Sequence, residues 1–438
     1  MIIVDHNNCG IFGNIFRGNT LKKACVLTNG CPENQLDSAR VESYLEENGW
    51  QIVDNVKAAN LILFNACGLT ESSALNSIYA IHRIKKQIKD NQRLIVWGCL
   101  PKIDHEMLFQ THQGLSFGER EIDKLDEIIN ATKSINEITV NEICQPLYRE
   151  SRWHRLSKID RLPVKFVDLL YLRLTSSNYL HSRIAYDSPS PLIQLDTTGK
   201  EGTGNDSSIF YIKIATGCLG NCSYCAVKKS RGNIKSKPID EVMDEFKAGL
   251  SLGFKEFILL GTDLGPYGKD LGYSLADLIT KMVNEKGDFK IGLRNIHPLF
   301  LKQMIDDLVP AFATGKIWFT GVPVESGSDR ILKLMKRGYS VADFKESIQR
   351  LKKAHPDLFI STQIIVNFPT ETEKDFAESM NLFEESNFDY AEIYSFSPRP
   401  GTSAADIEGR VPGRVAYFRE LRMATKALSH AISNRLFN

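Results

Sequence analysis

Short apolar runs alternate with segments of helical periodicity along most of this chain. Residues 23–28 (KACVLT), 60–65 (NLILFN) and 93–97 (RLIVW) each read as a buried strand. After the first, Asn34 or Asp37 is expected to cap a helix that runs to about Asn48 and closes at Gly49, with Leu36, Ala39 and Leu45 facing inward. After the second, Thr70 caps a helix in which Ala74, Ile78, Ile81, Ile84 and Ile88 keep helical spacing. Strands alternating with helices imply a parallel sheet.

The second half repeats the alternation. Strands are expected at 210–215, 256–260, 290–294, 317–322, 359–366 and 391–396, with helices at 239–252, 274–283, 301–308, 341–353 and 373–385 between them. Six βα units fall short of the eight of a closed barrel, so the expectation is an open, partial (β/α)6 barrel followed by a helical tail at 415–436. Between the halves the alternation lapses. The stretch 149–165 (RESRWHRLSKIDRLPVK) is basic with Trp153 and His154 interleaved, 164–184 has the pattern of a partly apolar helix, and 197–208 (TTGKEGTGNDSS) has the composition of a flexible linker. A basic aromatic stretch suits phosphates and stacked bases, but charge runs are more often solvated faces. The chain divides into an extension (1–22), a first domain (23–133), a connector (134–208) and a second domain with its tail (209–438).

Composition narrows this little. A chain of 438 residues with 42% hydrophobic and 24% charged residues is long enough for two or three domains, each with its own core. The net charge of +1 provides no whole-chain attraction to nucleic acid or to an acidic membrane. No apolar run approaches the length of a membrane span, and the start is broken by Asp5, Asn7 and Asn8, so the expectation is a cytoplasmic protein with no membrane partner. Nine cysteines, at 9, 25, 31, 67, 99, 144, 218, 222 and 225, are odd in number and scattered; in a reducing compartment that reads as metal ligation plus bystanders. Cys25, inside the first strand, reads as a small buried hydrophobe.

Cys218, Cys222 and Cys225 are spaced C-x3-C-x2-C in a loop made pliable by Gly217, Gly220 and Asn221. A structural zinc site wants four ligands, and this loop offers three sulfurs and no neighbouring histidine. A cubane iron–sulfur cluster fits the set better, with three buried thiols or a zinc loop as the bland alternative. A second trio follows from topology. Ligands of parallel sheets gather outside the carboxyl ends of the strands, where Cys31, Cys67 and Cys99 all lie, each beside Gly or Asn.

The Cys218/Cys222/Cys225 spacing, with Tyr224 before the last Cys, resembles the signature of the radical S-adenosylmethionine (SAM) superfamily. Thr28-Asn29-Gly30-Cys31, Asn34, Asp37-Ser38, Asn65-Ala66-Cys67, Gly98-Cys99 and 117–121 (FGERE) resemble the N-terminal domain of its methylthiotransferases. The resemblance implies a Rossmann/flavodoxin-like parallel sheet domain joined to a radical SAM partial barrel. It also implies two [4Fe–4S] clusters: one at Cys218, Cys222 and Cys225 with an iron open to SAM, and an auxiliary one at Cys31, Cys67 and Cys99 that presents sulfur. SAM contacts are implied at Tyr224, Gly261, Thr262, Asp263, Arg294, Glu325, Ser326 and Ile365. His297 reads as easily as a turn residue before Pro298 as a catalytic one.

This sequence departs from the family pattern at Gln363, Asn367 and Thr370, and at Glu325, where Gln is usual. It stops at Asn438, which leaves no room for the RNA-binding TRAM domain that usually closes these enzymes. The activity implied is sulfur insertion, as methylthio, at an unactivated C–H bond. SAM would serve as radical source and methyl donor, with a reducing partner of flavodoxin or ferredoxin type. Substrates of the resembling enzymes are tRNA or a ribosomal protein; a peptide or small-molecule natural product is the rival that a missing TRAM domain raises. An electron-transferring or redox-sensing iron–sulfur protein is the alternative of another class, and it has no need of SAM-type loops.

Overall fold

The computed structural model describes residues 22–142 and 209–437. The basic stretch 149–165, the helical pattern at 164–184, the linker 197–208, and Cys9 and Cys144 lie outside them.

Five strands build the first sheet: β1 (Lys23–Thr28), β2 (Gln51–Ile52), β3 (Leu61–Ala66), β4 (Arg93–Gly98) and β5 (Ser116–Gly118). All pairings are parallel, in the order β2-β1-β3-β4-β5. The run LILFNA is buried at every position, as a central parallel strand covered by helices on both faces must be. The edge strands β2 and β5 are too short for periodicity to reveal. Strand order sets the chemistry: β3 lies between β1 and β4, so Cys67 emerges between Cys31 and Cys99 at one carboxyl edge.

The first helix corrects the expected start. It spans Pro32–Glu47 with Cys31 at its N-cap, so neither Asn34 nor Asp37 caps it. Proline's fixed φ suits the first helical turn, and the two polar side chains are turned to other partners. The Asn34 amide donates to Asn65 Oδ1 at 2.8 Å, and Asp37 receives Lys213 Nζ at 2.8 Å. Thr70 caps the second helix (Glu71–Lys85) as expected, accepting from the Ser73 N–H. Packing of this domain runs past residue 133. Ile135 and Ile138 are buried in the core that holds Val41 and Trp97, and Asn141 exchanges hydrogen bonds with Tyr211 of the next sheet.

The second sheet contains β6 (Ile209–Lys213), β9 (Glu256–Leu260), β10 (Lys290–Leu293), β11 (Ile317–Gly321), β12 (Phe359–Val366) and β13 (Tyr390–Ser395); β7 (Ala215–Thr216) and β8 (Lys235–Ser236) form a separate antiparallel ribbon. Its order, β13-β12-β11-β10-β9-β6, is that of six successive parallel βα units, an open barrel. Serine and threonine caps with an aspartate three residues on start the helices Leu275–Val283, Val341–Ala354 and Glu373–Glu385. His297 is an N-cap too, its Nδ1 accepting from the Leu299 N–H at 3.2 Å.

The inner face of the barrel has two halves. Ile209, Tyr211, Ile258 and Leu260 form an apolar patch closed by Leu36 of the first domain; burying one such leucine contributes roughly 2 kcal/mol. On the other half β12 alternates, putting Ser361, Gln363 and Ile365 on its less buried side. Among the described residues no helix is long and apolar enough to cross a membrane.

Gly98 marks where β4 turns toward Cys99. Its φ is +99°, and a Cβ there would stand 2.2 Å from Asn65 Oδ1. Gly98→Ala is therefore expected to cost about 1–3 kcal/mol in chemical denaturation. Gly49→Ala, at φ +77° with nothing within 4 Å, should cost less because only the backbone is strained. Equal costs would mean that the approach to Asn65 is not what requires glycine.

Candidate functional site

Polar side chains hold the loops that carry Cys31 and Cys67. The Cys31 thiol donates to Asn34 Oδ1 at 3.5 Å, and the Asn65 amide donates to the Asn34 carbonyl and to Ser38 Oγ. Asn29 crosses to the next loop, where its Oδ1 accepts the Cys67 N–H at 3.0 Å; Ser77 Oγ donates to the Cys67 carbonyl at 2.7 Å. These bonds explain why polar residues sit at the ends of otherwise apolar strands: they fix the loops after β1 and β3 against one another.

In the second domain the Cys218 N–H donates to the Gly232 carbonyl at 3.2 Å, and the Cys225 N–H to the Cys222 carbonyl at 3.2 Å. A Cβ on Gly220 would lie 3.2 Å from Cys218 Sγ and 3.7 Å from Cys222 Sγ. Glycine thus leaves open a cradle between two sulfurs. Burial pushes the Cys218 and Cys225 thiols up to about 12, and those of Cys31 and Cys67 up to about 12 and about 11. A group that binds thiolates must displace those protons or balance the charge.

Among the described residues no three His, Cys, Asp or Glu side chains are arranged to hold a metal ion. One ion needs every sulfur at about 2.3 Å. Neither trio meets that condition, and a cluster of several irons, which takes each thiolate on a different iron, does not impose it. The donor set fits such a cluster: three largely shielded thiols on one loop or one sheet edge and, in the loop, a glycine cradle between two of them.

The two cysteine-bearing segments touch across the domain interface. Ala226, next to Cys225, packs on Cys99 and Ile103. From the helix Val227–Arg231, the Arg231 guanidinium enters the first domain. Its Nη1 meets Glu33 at 2.6 Å and Glu119 at 3.1 Å, and its Nη2 donates to Asn34 Oδ1 at 2.6 Å. Lys213 meets Asp37 at 2.8 Å and Glu119 at 2.7 Å. Although burial opposes it, Arg231 and Lys213 hold the Glu119 carboxyl down to about 2, whereas burial pushes Glu33 and Asp37 up. Three carboxylates face two cations. Arg399 and Asp104, both buried, make a further bridge between the domains at 3.3 Å.

Around Cys218 the Asp263 carboxylate is fixed by the N–H groups of Gly265 (3.0 Å) and His297 (3.1 Å), and its Oδ2 lies 3.7 Å from the Cys218 sulfur. Gly261 ends β9 against the Ala215 carbonyl, where a Cβ would approach to 3.2 Å. Thr262 Oγ1 accepts the Gly217 N–H at 3.3 Å and reaches Glu33 of the first domain. Arg337, buried, donates to Cys222 Sγ at 3.4 Å and to the Tyr224 hydroxyl at 3.3 Å, and stands 3.9 Å from Glu325. Tyr224 and Ile365 share one apolar cluster. Asn295, Glu325 and Asn367, just beyond β10, β11 and β12, all have left-handed φ (56°, 67° and 65°), strain of the kind that gathers at functional sites. Ser326 is not brought to this surface: fully buried, its hydroxyl faces Ser379 and the Ser328 N–H. Arg294 lines a small, partly open recess beyond the end of β10 together with Asn295, Gln363 and Glu392.

Sequence reading missed Arg231, Lys213, Arg337 and Glu392. Arg231 and Lys213 flank the cysteine loop, the one signal they carry, and it does not say which carboxylates they meet; Arg337 and Glu392 stand far from it in the chain.

Known proteins bear on this arrangement. The Radical SAM superfamily matches residues 212–383, and the uncharacterized protein family UPF0004 matches 23–118. A threonylcarbamoyladenosine tRNA methylthiotransferase of Thermotoga maritima is 29% identical over 395 residues, 90% of this chain and 79% of that protein. The human threonylcarbamoyladenosine tRNA methylthiotransferase is 32% identical, over 90% of this chain and 60% of its own length. A tRNA-2-methylthio-N(6)-dimethylallyladenosine synthase of Stutzerimonas stutzeri is 30% identical, over 90% of this chain and 80% of that protein. In fold, the structure of the radical SAM methyltransferase TsrM from Kitasatospora setae overlaps 88% of this chain and 75% of its own at a TM-score of 0.55 and 11% identity. With both domains matched and such identity over most of its length, this chain belongs to the radical SAM methylthiotransferases, sulfur-inserting transferases that work with [4Fe–4S] clusters and SAM.

Proposed function

We propose that this protein installs a methylthio group on a modified adenosine of tRNA, with one cluster at Cys218, Cys222 and Cys225 and a second at Cys31, Cys67 and Cys99. The observation that carries the proposal is the contact between the two cysteine-bearing segments across the domain interface, Ala226 beside Cys225 packing on Cys99. The names of the relatives, all tRNA-modifying, favour tRNA over a peptide or a small molecule.

When bound, the cluster and SAM supply one-electron cleavage and hydrogen abstraction, chemistry that belongs to the cofactors. The protein's share is orientation, charge and exclusion of water. Asp263, held by two backbone N–H groups beside Cys218, is placed to accept hydrogen bonds from the amino group of SAM. Tyr224 and Ile365 form an apolar wall for its adenine. Arg337 beside Cys222 and Arg231 beside Asn34 and Cys31 give each trio a buried cation to offset thiolate charge. Leu36 closes the apolar half of the barrel to water. A reducing partner of flavodoxin or ferredoxin type would supply electrons.

The test is anaerobic turnover with SAM, reductant and tRNA from cells lacking the gene. Mass spectrometry of digested tRNA should show a methylthioadenosine derivative, together with 5′-deoxyadenosine. Formation of 5′-deoxyadenosine with no thiolated nucleoside would refute the assignment. RNA binding should also weaken steeply with salt, as phosphate contacts require.

A further inference from the structure

The last helix, Gly413–Phe437, packs on the edge strand β13 and on the helix Glu373–Glu385. Met423, Ala427 and Leu428 join the apolar core of the barrel. Its first turns behave differently: Ala416, Arg419 and Glu420 share one face at helical spacing, and all three bond to the loop that follows β12. The Asn367 side-chain amide donates to Ser395 Oγ at 3.0 Å and, on the helix, to the Ala416 carbonyl at 3.3 Å and Glu420 Oε1 at 3.4 Å. Arg419 Nη1 donates to the Glu371 carbonyl and to its Oε2, at 3.1 Å each, and that Oε2 also accepts the Asn367 N–H at 2.8 Å. Arg419 and Glu371 are both buried.

The loop so held is strained. Asn367 and Thr370, two of the positions at which this sequence departs from the family pattern, have φ of 65° and 68°, and a β-branched residue keeps left-handed backbone only where its surroundings impose it. On the barrel side, Arg330 donates to Thr370 Oγ1 at 3.2 Å and to its carbonyl at 2.7 Å, and the Thr370 N–H donates to the Gly409 carbonyl at 2.8 Å. Phe368, between the two strained residues, is fully buried in the apolar cluster that contains Tyr224 and Ile365.

We propose that the last helix is a latch that sets the adenine-side wall of the SAM site, with Arg419, Glu371 and Asn367 as positioning residues that act through Phe368 on Ile365 and Tyr224. This rests on the reading of that cluster as the wall for adenine. A buried ion pair adds little net stability over an apolar pair, and Met423, Ala427 and Leu428 already dock the helix. What the Arg419–Glu371 pair adds is a fixed loop. A misplacement of about 1 Å in a reacting geometry can cost about 100-fold in rate, so a little play in this loop is enough to matter.

The test uses the full-length, cluster-loaded protein. Asn367→Gly keeps left-handed backbone accessible and removes only the side-chain bonds to the helix. Arg419→Met/Glu371→Gln removes both charges and leaves neither buried alone; Arg419→Lys keeps the charge and loses the planar fork. KM for SAM and kcat are read from 5′-deoxyadenosine formation, and the 5′-deoxyadenosine formed per thiolated nucleoside is measured beside iron content and thermal unfolding. Asn367→Gly and the double variant should raise KM for SAM at least about tenfold and form more 5′-deoxyadenosine per product, at wild-type iron content. Arg419→Lys should fall between the double variant and the wild type. Phe418→Ser, on the exposed side of the same helix, should leave these values unchanged. A wild-type KM in Asn367→Gly would overturn the latch whatever its unfolding temperature, because a merely structural role moves that temperature alone; should the double variant fail to fold, Asn367→Gly decides. Absence of 5′-deoxyadenosine from the wild type would instead overturn the SAM reading, and the latch with it.

Discussion

Alanine at Cys67 is expected to abolish methylthio product while 5′-deoxyadenosine is still formed; alanine at Cys222 is expected to abolish both. The difference follows from position. Cys67 emerges from the central strand β3 between Cys31 and Cys99, so its loss leaves two sulfurs at that edge and an intact loop in the other domain. Cys222 shares the Gly220 cradle with Cys218 and receives the Arg337 guanidinium at 3.4 Å. Each variant should retain about half the iron, since a cluster is held by the thiolates of one trio, and electron paramagnetic resonance of the reduced proteins should show a different half missing in each. Normal product from Cys67→Ala would remove the sulfur-presenting role of the first domain. Full iron in either variant would show that the trio concerned is not a ligand set.

Arg231→Met is expected to destabilise the protein by about 3–5 kcal/mol, the range for removing one partner from a buried ion network. Arg231 is 2% exposed, and its guanidinium is shared among Glu33, Glu119 and Asn34. Without it Lys213 alone faces three carboxylates, two of them buried. Urea denaturation should show the midpoint falling, and limited proteolysis should separate the two domains sooner than in the wild type. Arg231→Met/Glu33→Gln removes a charge of each sign and should recover part of the loss. If Arg231→Met unfolds at the wild-type midpoint, the network does not hold the domains together. Lys102, whose bridge to Glu121 is 42% exposed on the lysine side, is the contrast: Lys102→Met should cost under about 1 kcal/mol.

Much of the fold was legible because its signal is local. Short apolar runs rich in branched residues and bounded by Asn, Gly or Cys favour buried strands, and β1, β9 and β12 fall at the expected residues. The helix Pro32–Glu47 was misjudged at its start because Asn34 and Asp37 look like caps. Their side chains instead serve Asn65, Arg231 and Lys213, partners that no local pattern reveals. The ribbon of β7 and β8 and the edge strands β2 and β5 went unread, being two or three residues long.

By itself the sequence determined the order of strands and helices, the placing of six cysteines at strand ends and in one glycine-rich loop, and the incomplete barrel. Hydrophobic period and turn residues act over a few positions, and those features need nothing more. Only the tertiary structure decided which charges are buried together, as Arg231 with Glu33, 198 residues away in the chain, and which half of the barrel is left polar. Strand order and the docking of two domains choose such partners, and burial then makes an ordinary surface charge costly to leave alone.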